Sequence, residues 1–517
     1  MHRCLMISEI VMNIAKEIGE DGDGYEPWNT LAKLARTCRV FSEPALDALW
    51  RVQGSLLPVL RTMPTDLWQT DAGILRLNRP IKPTDWSRFQ TYAARIHHFI
   101  DDRLLNESPG TDCLQALVCA KPPNVATFFP HVHSLDWNYL VGPSDEVFQC
   151  MPFFMSAATK KISFSLGSLR TTGLSLAQSI LHNFPGVRHL DICGLHAINR
   201  PPIEDALSEL FSHGQGLCDV KVDCFLLPPT IKHLAGFKHL KRLEMIVDDR
   251  GVSTQVSGFR VLECLRVSGE TFRIISGLIA MLQSPLETVF LTTIGGVVKP
   301  QELAGTFELM SIHCSHAHLR TLTVQTLVTS LEPPDACIDH RVLQHLFVFF
   351  NLSHVELLID APVSLDNKTV RQMAAAWPQL SHLTLGGDGW FRRTSITPAG
   401  LIPLFYLPRL TTLSISIDAS TIDGASQPVP TQIIRGALRS LDLQYSIIND
   451  AGPMAAFLSK FAPNLEDIQA WADDWTQTVG VSEELAQEYQ SRWKEVARLV
   501  PLFVAVREEE RGARASS

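Results

Sequence analysis

No run of about eighteen uninterrupted apolar residues occurs in the 517-residue chain, so no membrane-spanning helix is expected. The amino terminus lacks a leader-like core as well, because "MHRCLMISEIVMNIAKEIGE" is broken by Glu9 and Lys16. The eleven cysteines include no Cys-x-x-Cys pair and are odd in number. Scattered single cysteines read as reduced, buried thiols of a cytoplasmic or nuclear protein, not as a disulfide framework. Positive charge is not in surplus: 45 Lys and Arg stand against 54 Asp and Glu, a net of -9. That is the wrong sign for a nucleic-acid partner, whose phosphates demand a basic face. A phosphate-cradling glycine loop, a nucleophile elbow and a zinc-protease motif are all missing. The expectation is a protein with no catalytic residues, no cofactor and no metal, and with neither nucleic acid nor membrane as partner.

What the chain has in quantity is leucine in rhythm. The hexad L-x-x-L-x-L, with Val and Ile allowed, begins at Val187, Leu217, Leu240, Leu262, Leu286, Leu319, Leu352, Leu380, Leu410, Leu438 and Leu465. Successive copies lie 22 to 33 residues apart, and Val132 in "VHSLDW" starts an earlier one. One hexad fits any half-buried strand, whereas a near-regular succession is the mark of stacked repeats. The intervals support this. Ala177, Ile180, Leu181 and Phe184 form a helical stripe ahead of Pro185, and Val370, Met373, Ala374 and Trp377 do the same ahead of Pro378 in "WPQLSHLTL". Met454, Phe457, Leu458 and Phe461 make a third. Asp366 is placed to cap one helix, and Thr397 with Pro398 another. The unit is helix, proline turn and short strand, about 28 residues long, and neither half buries its apolar side alone. Over roughly residues 125 to 475 this resembles the leucine-rich repeat family. The resemblance implies an irregular α/β solenoid with a curved parallel sheet and outer helices.

The first fifty residues have a different pattern. "LMISEIVMNIAKEI" puts Met6, Ile10, Ile14 and Ile18 on one helical stripe with Val11 beside it, and Ser8 is read as its N-cap. A Gly/Asp loop follows, then "WNTLAKLARTCRVF" with Leu31, Leu34, Ala35 and Cys38 in helical spacing. "SEPALDALWR" offers Ser42 as a cap, Pro44 in the first turn, and Leu46, Leu49 and Trp50 as its apolar side. Three short helices make a small core and leave apolar surface over. This order of motifs resembles an F-box of the kind found in large fungal families, with Ile7-Ser8 where the family opens on Leu-Pro. The resemblance implies docking on a Skp-type adaptor, and through it on a cullin scaffold. It places that contact at Leu5, Ile7, Glu9, Ile10, Ile14, Leu31, Leu34, Cys38, Leu46, Leu49 and Trp50. An F-box followed by leucine-rich repeats is the architecture of a substrate receptor of an SCF-type ubiquitin ligase. The alternative is a repeat scaffold whose first helices do not dock.

The expected division is an adaptor-docking module over 1–51, a helical connector over 52–105, a substrate-binding array over 106–480, and a capping helix with a charged tail over 481–517. On that division a fragment from about residue 106 onward is expected to fold by itself. Within each hexad the leucines face inward, so alternation sends the flanking residues to the open face of the sheet. These are Asp136, Asp191, Asp219, Asp223, Glu244, Glu356, Asp442 and Asp467 against Lys221, Arg242 and Arg266. With Phe290 and Trp471 as aromatic anchors, the row suits a basic or mixed-charge protein segment. Other constellations carry less. "HCSHAH" at 313–318 alternates faces rather than converging on a metal, and "DGDGYE" at 21–26 has Glu26 where a calcium loop needs glycine. His97 and His98 are read as the end of an amphipathic helix spanning 88–100, and "REEERGARASS" as a solvated tail. A helix over 482–500 is expected to seal the array through Leu485, Tyr489, Trp493 and Val496.

Overall fold

The computed structural model of the chain describes residues 7–20, 26–100, 108–137, 140, 145–166, 169–193, 201–248, 257–295, 298–327, 337–359, 361–386, 394–422, 436–471 and 481–516. Two compact units result, Met1–Cys224 and Phe225–Ser517. Both are α/β.

The first unit opens with three helices: α1 (Ser8–Glu20), α2 (Glu26–Leu34) and α3 (Arg39–Arg51). Their shared core is small, with Val11, Ala15, Leu31 and Ala45 buried. Two local expectations fail here. Ser8 is already helical, so it does not cap α1, and α3 begins three residues before Ser42, with Cys38 at the N-cap position and Pro44 inside the helix. Pro44 is the sixth residue of α3, beyond the first four amides that lack intrahelical acceptors, so it cannot supply the amide donor the Val40 carbonyl would otherwise receive.

Strand β1 (Val52–Gln53) follows α3 directly and pairs in parallel with β4 (His98–Phe99), which pairs with β6 (Ser134–Asp136). The parallel order continues through β7 (Lys161–Ser165) and β8 (His189–Cys193) to β9 (Asp219–Phe225). Residues 52–105 are therefore no separate helical connector. They supply two strands, and the helix expected over 88–100 spans only Trp86–Ala93. A hairpin of β2 (Trp68–Asp71) and β3 (Ile74–Leu77), joined to β5 (Ser108–Pro109), also lies in this stretch. Arg79 holds it closed, reaching Asp66 at 2.6 Å and the buried Asp85 at 2.8 Å. α3 is fixed to the Trp86–Ala93 helix and the turn after it by Arg95, which pairs with Glu43 and Asp47, and by Trp50 against Tyr92.

In the second unit the parallel order is β10 (Arg242–Val247), β11 (Cys264–Gly269), β12 (Thr288–Thr293), β13 (Thr321–Thr326), β14 (His354–Leu358), β15 (His382–Leu385), β16 (Thr412–Ile415), β18 (Ser440–Asp442) and β20 (Asp467–Gln469). The short β17 (Asp418–Ala419) and β19 (Ile447–Ile448) pair separately. Leu243, Leu265, Val289, Leu322, Val355, Leu383, Leu413 and Leu441 stand opposite one another along one buried row. Each is the middle leucine of a hexad, and burying one such side chain stabilises by about 1.5–3 kcal/mol. Helices such as Phe272–Ile279, Pro300–His313, Asn367–Ala376 and Pro398–Phe405 connect successive strands. "WPQLSHLTL" is one copy of this join: Trp377 ends a helix fully buried, donates its indole N–H to the Leu346 carbonyl at 3.2 Å, and leads into β15.

Asp366 caps the Asn367–Ala376 helix as expected, accepting from the Thr369 amide at 2.8 Å and its hydroxyl at 2.6 Å. Those two donors hold its carboxyl below the ordinary value. Asp366→Ala is expected to cost about 1 kcal/mol at neutral pH. A depressed folded-state pKa gives stability that is full above the unfolded value of about 4 and fades as pH falls through the folded one. Melts of the two proteins should therefore converge in acid; a gap that stays constant down to about pH 2 excludes the carboxylate as its source. Thr397 occupies the N-cap position of the next helix, but its hydroxyl accepts from Asn367 at 2.9 Å rather than from the helix.

The last helix runs Glu483–Ser516, so the stretch read as a tail continues the capping helix. Its buried side is Ala486, Tyr489, Trp493, Val496 and Val500, while Leu485 is exposed. Ser482 caps it, at 3.4 Å from the Leu485 amide.

Candidate functional site

Two surfaces contain the residues singled out from sequence. On the three-helix module, Val11 and Ala15 turn inward, which leaves Ile7 (47% exposed) and Ile10 (36%) on the adjoining face of α1, with Ile14 half-buried below them. Glu9 is exposed beside them. Leu34, Cys38, Leu46, Leu49 and Trp50 are all half-buried. Leu31 is buried in the helix core and offers nothing to a partner, which corrects its reading as a docking residue. Leu5 and Met6 lie outside the described residues, as does most of the "DGDGYE" loop.

The second surface is the face of each sheet opposite the leucine row. In the second unit strand register places Glu244, Arg266, Phe290, Thr323, Glu356, Thr384, Ser414, Asp442 and Gln469 side by side. Four strands supply the acidic, basic and aromatic residues expected there in one line with Asp442. Arg266 lies 4.0 Å over the Phe290 ring, an arrangement that fixes the guanidinium and leaves its edge to solvent. Glu356 accepts from Thr323 at 3.2 Å and meets His382 at 3.1 Å. Asp442 accepts from Ser414 at 2.7 Å and from the Gln444 amide at 2.8 Å. Gln444 then reaches the Leu385 carbonyl at 3.1 Å across Gly386, whose φ of +119° and missing side chain leave the room. Asp467 is exposed on the edge strand β20.

Trp471 does not belong to this surface. Alternation assigns it outward, but its φ of 52° turns the chain, and the indole is fully buried with its N–H on the Ser446 carbonyl at 2.9 Å.

In the first unit the second row is Asp136, Ser163, Asp191 and Lys221, as read from sequence. The first row is Val52, His98, Ser134, Lys161, His189 and Asp219. The face is therefore not uniformly acidic. Counting only Asp, Glu, Lys and Arg within the full hexads missed His98, His189, His354 and His382, and Lys161, which lies in the weaker copy "TKKISF". Of His97 and His98, expected at a helix end, His98 instead begins β4 and His97 stands just ahead of it.

Among the described residues no three His, Cys, Asp or Glu side chains are gathered to hold a metal ion. His316 bonds the Ser311 carbonyl at 2.7 Å and His318 the Ser315 hydroxyl at 2.7 Å, each facing a different partner. Every described cysteine is free, and burial pushes the Cys113, Cys224 and Cys314 thiols up to about 12. A thiol that stays protonated is a poor nucleophile. No described helix is long and apolar enough to cross a membrane.

No family model matches the chain, and no curated protein matches it in sequence.

Proposed function

We propose that the chain is a substrate receptor of an SCF-type ubiquitin ligase, an F-box followed by a leucine-rich-repeat array. The three-helix module docks on a Skp-type adaptor, which joins a cullin scaffold. The open sheet face holds a protein substrate, and the Glu244–Asp442 row favours a basic or mixed-charge segment. Ubiquitin transfer is then carried out by the recruited enzymes, and the receptor contributes proximity alone.

The observation that carries this reading is the exposed Ile7 and Ile10 on a module with so small a core of its own. A soluble module keeps such anchors uncovered where a partner covers them. The module also enters the array without a flexible joint, since α3 ends at Arg51 and β1 starts at Val52.

Ile10→Asp is expected to weaken co-purification with a Skp-type adaptor at least about tenfold while circular dichroism stays unchanged, because the side chain is exposed in the free chain. Leu49→Asp should do the same, though its half-buried site makes Ile10 the cleaner test. Normal adaptor capture by both variants would mean that these helices are not the docking surface, and no capture by the wild-type chain would leave a repeat scaffold that does not dock.

A further inference from the structure

The strand starts of the first unit carry a band of positive charge and imidazole in a chain that is otherwise acidic. Arg51, His97, His133, Lys160 and Arg188 occupy equivalent places ahead of β1, β4, β6, β7 and β8. Main-chain bonds fix the ladder: the His97 amide donates to the Arg51 carbonyl at 2.9 Å, His133 to His97 at 2.7 Å, Lys160 to His133 at 2.8 Å, and Arg188 to Lys160 at 2.8 Å. One residue further on, His98, Lys161 and His189 point to the open face. His131 adds a fifth imidazole, its ring 6.0 Å from His97, and the Nδ1 atoms of His97 and His133 are 3.3 Å apart.

Among the described residues no carboxylate lies within ion-pair distance of Arg51, Lys160, Lys161 or Arg188. The nearest acids on α3, Glu43 and Asp47, are both held by Arg95. The band ends where His189 meets Asp219 at 3.5 Å. Like charges on neighbouring strands, about 4.8 Å apart, repel one another and gain from an anion laid across them.

We infer that this rim binds an acidic, carboxylate-rich segment of a partner protein, extended across the strand starts. Five strand starts cover about 19 Å, the length of about six extended residues. The charges are single and spread in a line, and the adjacent main-chain amides already donate within the ladder. A phosphate group needs several donors converging on one centre, whereas a row of carboxylates needs only this spacing. Asp136 and Asp191 stand in the next row, two residues along the strands, and repel a bulky nucleic-acid backbone more than a single peptide. The surface is separate from the adaptor contact and stands whether or not that contact forms.

The imidazoles make binding depend on pH. Burial, with Arg51 and the neighbouring histidines, lowers the His97 and His98 pKa, so both are neutral at pH 7. Arg51 from α3 and His133 ahead of β6 oppose protonation of both, and His131 opposes that of His97, unless an anion is bound. A bound acid therefore takes up protons, and affinity rises as pH falls.

The test is fluorescence anisotropy with a fluorescein-labelled octaglutamate peptide and the full chain. Binding is expected to tighten several-fold from about pH 7.5 to about pH 6 and to weaken with salt. Lys160→Glu with Lys161→Glu, both exposed, should weaken it at least about tenfold at either pH with an unchanged melting curve. His97→Ala with His98→Ala should keep the affinity at the higher pH and lose most of the tightening. No binding by the wild-type chain, or wild-type binding by the double-lysine variant, overturns the assignment. Displacement of the peptide by an equal concentration of oligothymidylate overturns it in favour of nucleic acid.

Discussion

Deleting residues 1–105 should unfold the rest of the first unit instead of leaving a soluble fragment. The deletion removes β1 and β4, and with them the parallel partner of β6. It also removes Trp86, Phe89 and Phe99, whose rings pack on Phe128 and Phe129. Phe99 lies 4.8 Å from Phe129, Phe89 lies 5.9 Å from both, and Trp86 stacks at 5.6 Å on Phe128. Each lost aromatic gives up roughly 2–3 kcal/mol of burial, and a domain's whole stability is only about 5–15 kcal/mol. What remains is an apolar patch beside an open strand edge, the usual start of aggregation. Hydrogen exchange in full-length and truncated chains reports this directly. Amides of β6 to β9 should lose most of their protection in the fragment. Protection equal to that of the full chain would show that the array begins at residue 106 after all.

The contrast with the sequence-based expectation is informative because the hexads themselves were legible. Leu243, Leu265, Val289 and Leu322 all occupy the buried row that their spacing assigned. The rule behind it is alternation enforced by burial on one side, and it holds wherever a strand is long enough to alternate. β1 and β4 are two residues long, and "VQ" and "HF" carry no leucine rhythm. Their pairing is decided by the stacked neighbours, which is a tertiary effect. The Trp86–Ala93 helix stops well before His98 because β4 must start there, and nothing local announces that. The hairpin of β2 and β3 turns at Ala72 and Gly73, with φ of 47° and 80°, and an alanine in that region is not the residue such a turn normally takes. The carboxyl-terminal helix was cut short for the opposite reason. "VREEERGARAS" has the charge of a solvated tail, yet Arg, Glu and Ala are good helix formers, and Arg507 reaches back to Ser459 at 3.0 Å. Trp471 shows where alternation itself fails, since one residue with positive φ reverses the assignment of its side chain. The open sheet face was thus readable strand by strand, and the place of Trp471 was not.

The same tryptophan leads to the second large effect. Trp493 of the last helix is 1% exposed and donates its indole N–H to the Ser446 carbonyl at 2.8 Å. Trp471 donates to that same oxygen at 2.9 Å, so both lone pairs of one buried carbonyl are used. Gln490 closes the arrangement by donating to the Trp471 carbonyl at 2.6 Å. Trp493→Ala should destabilise the second unit by about 3–5 kcal/mol, the usual result of emptying a buried indole site. Its first visible consequence should be loss of exchange protection along residues 483–500, which this side chain pins to the array. Trp493→Phe keeps most of the packing and leaves the carbonyl one donor, so a loss of about 1–2 kcal/mol is expected. Trp471→Phe should behave alike. Combining the two phenylalanines leaves the buried oxygen with neither indole, and the pair should cost more than the sum of the singles by about 1–2 kcal/mol. Denaturant titrations of the four variants measure that coupling. Strict additivity would mean that water reaches the carbonyl once one indole is gone, and that the helix is held by its apolar contacts alone.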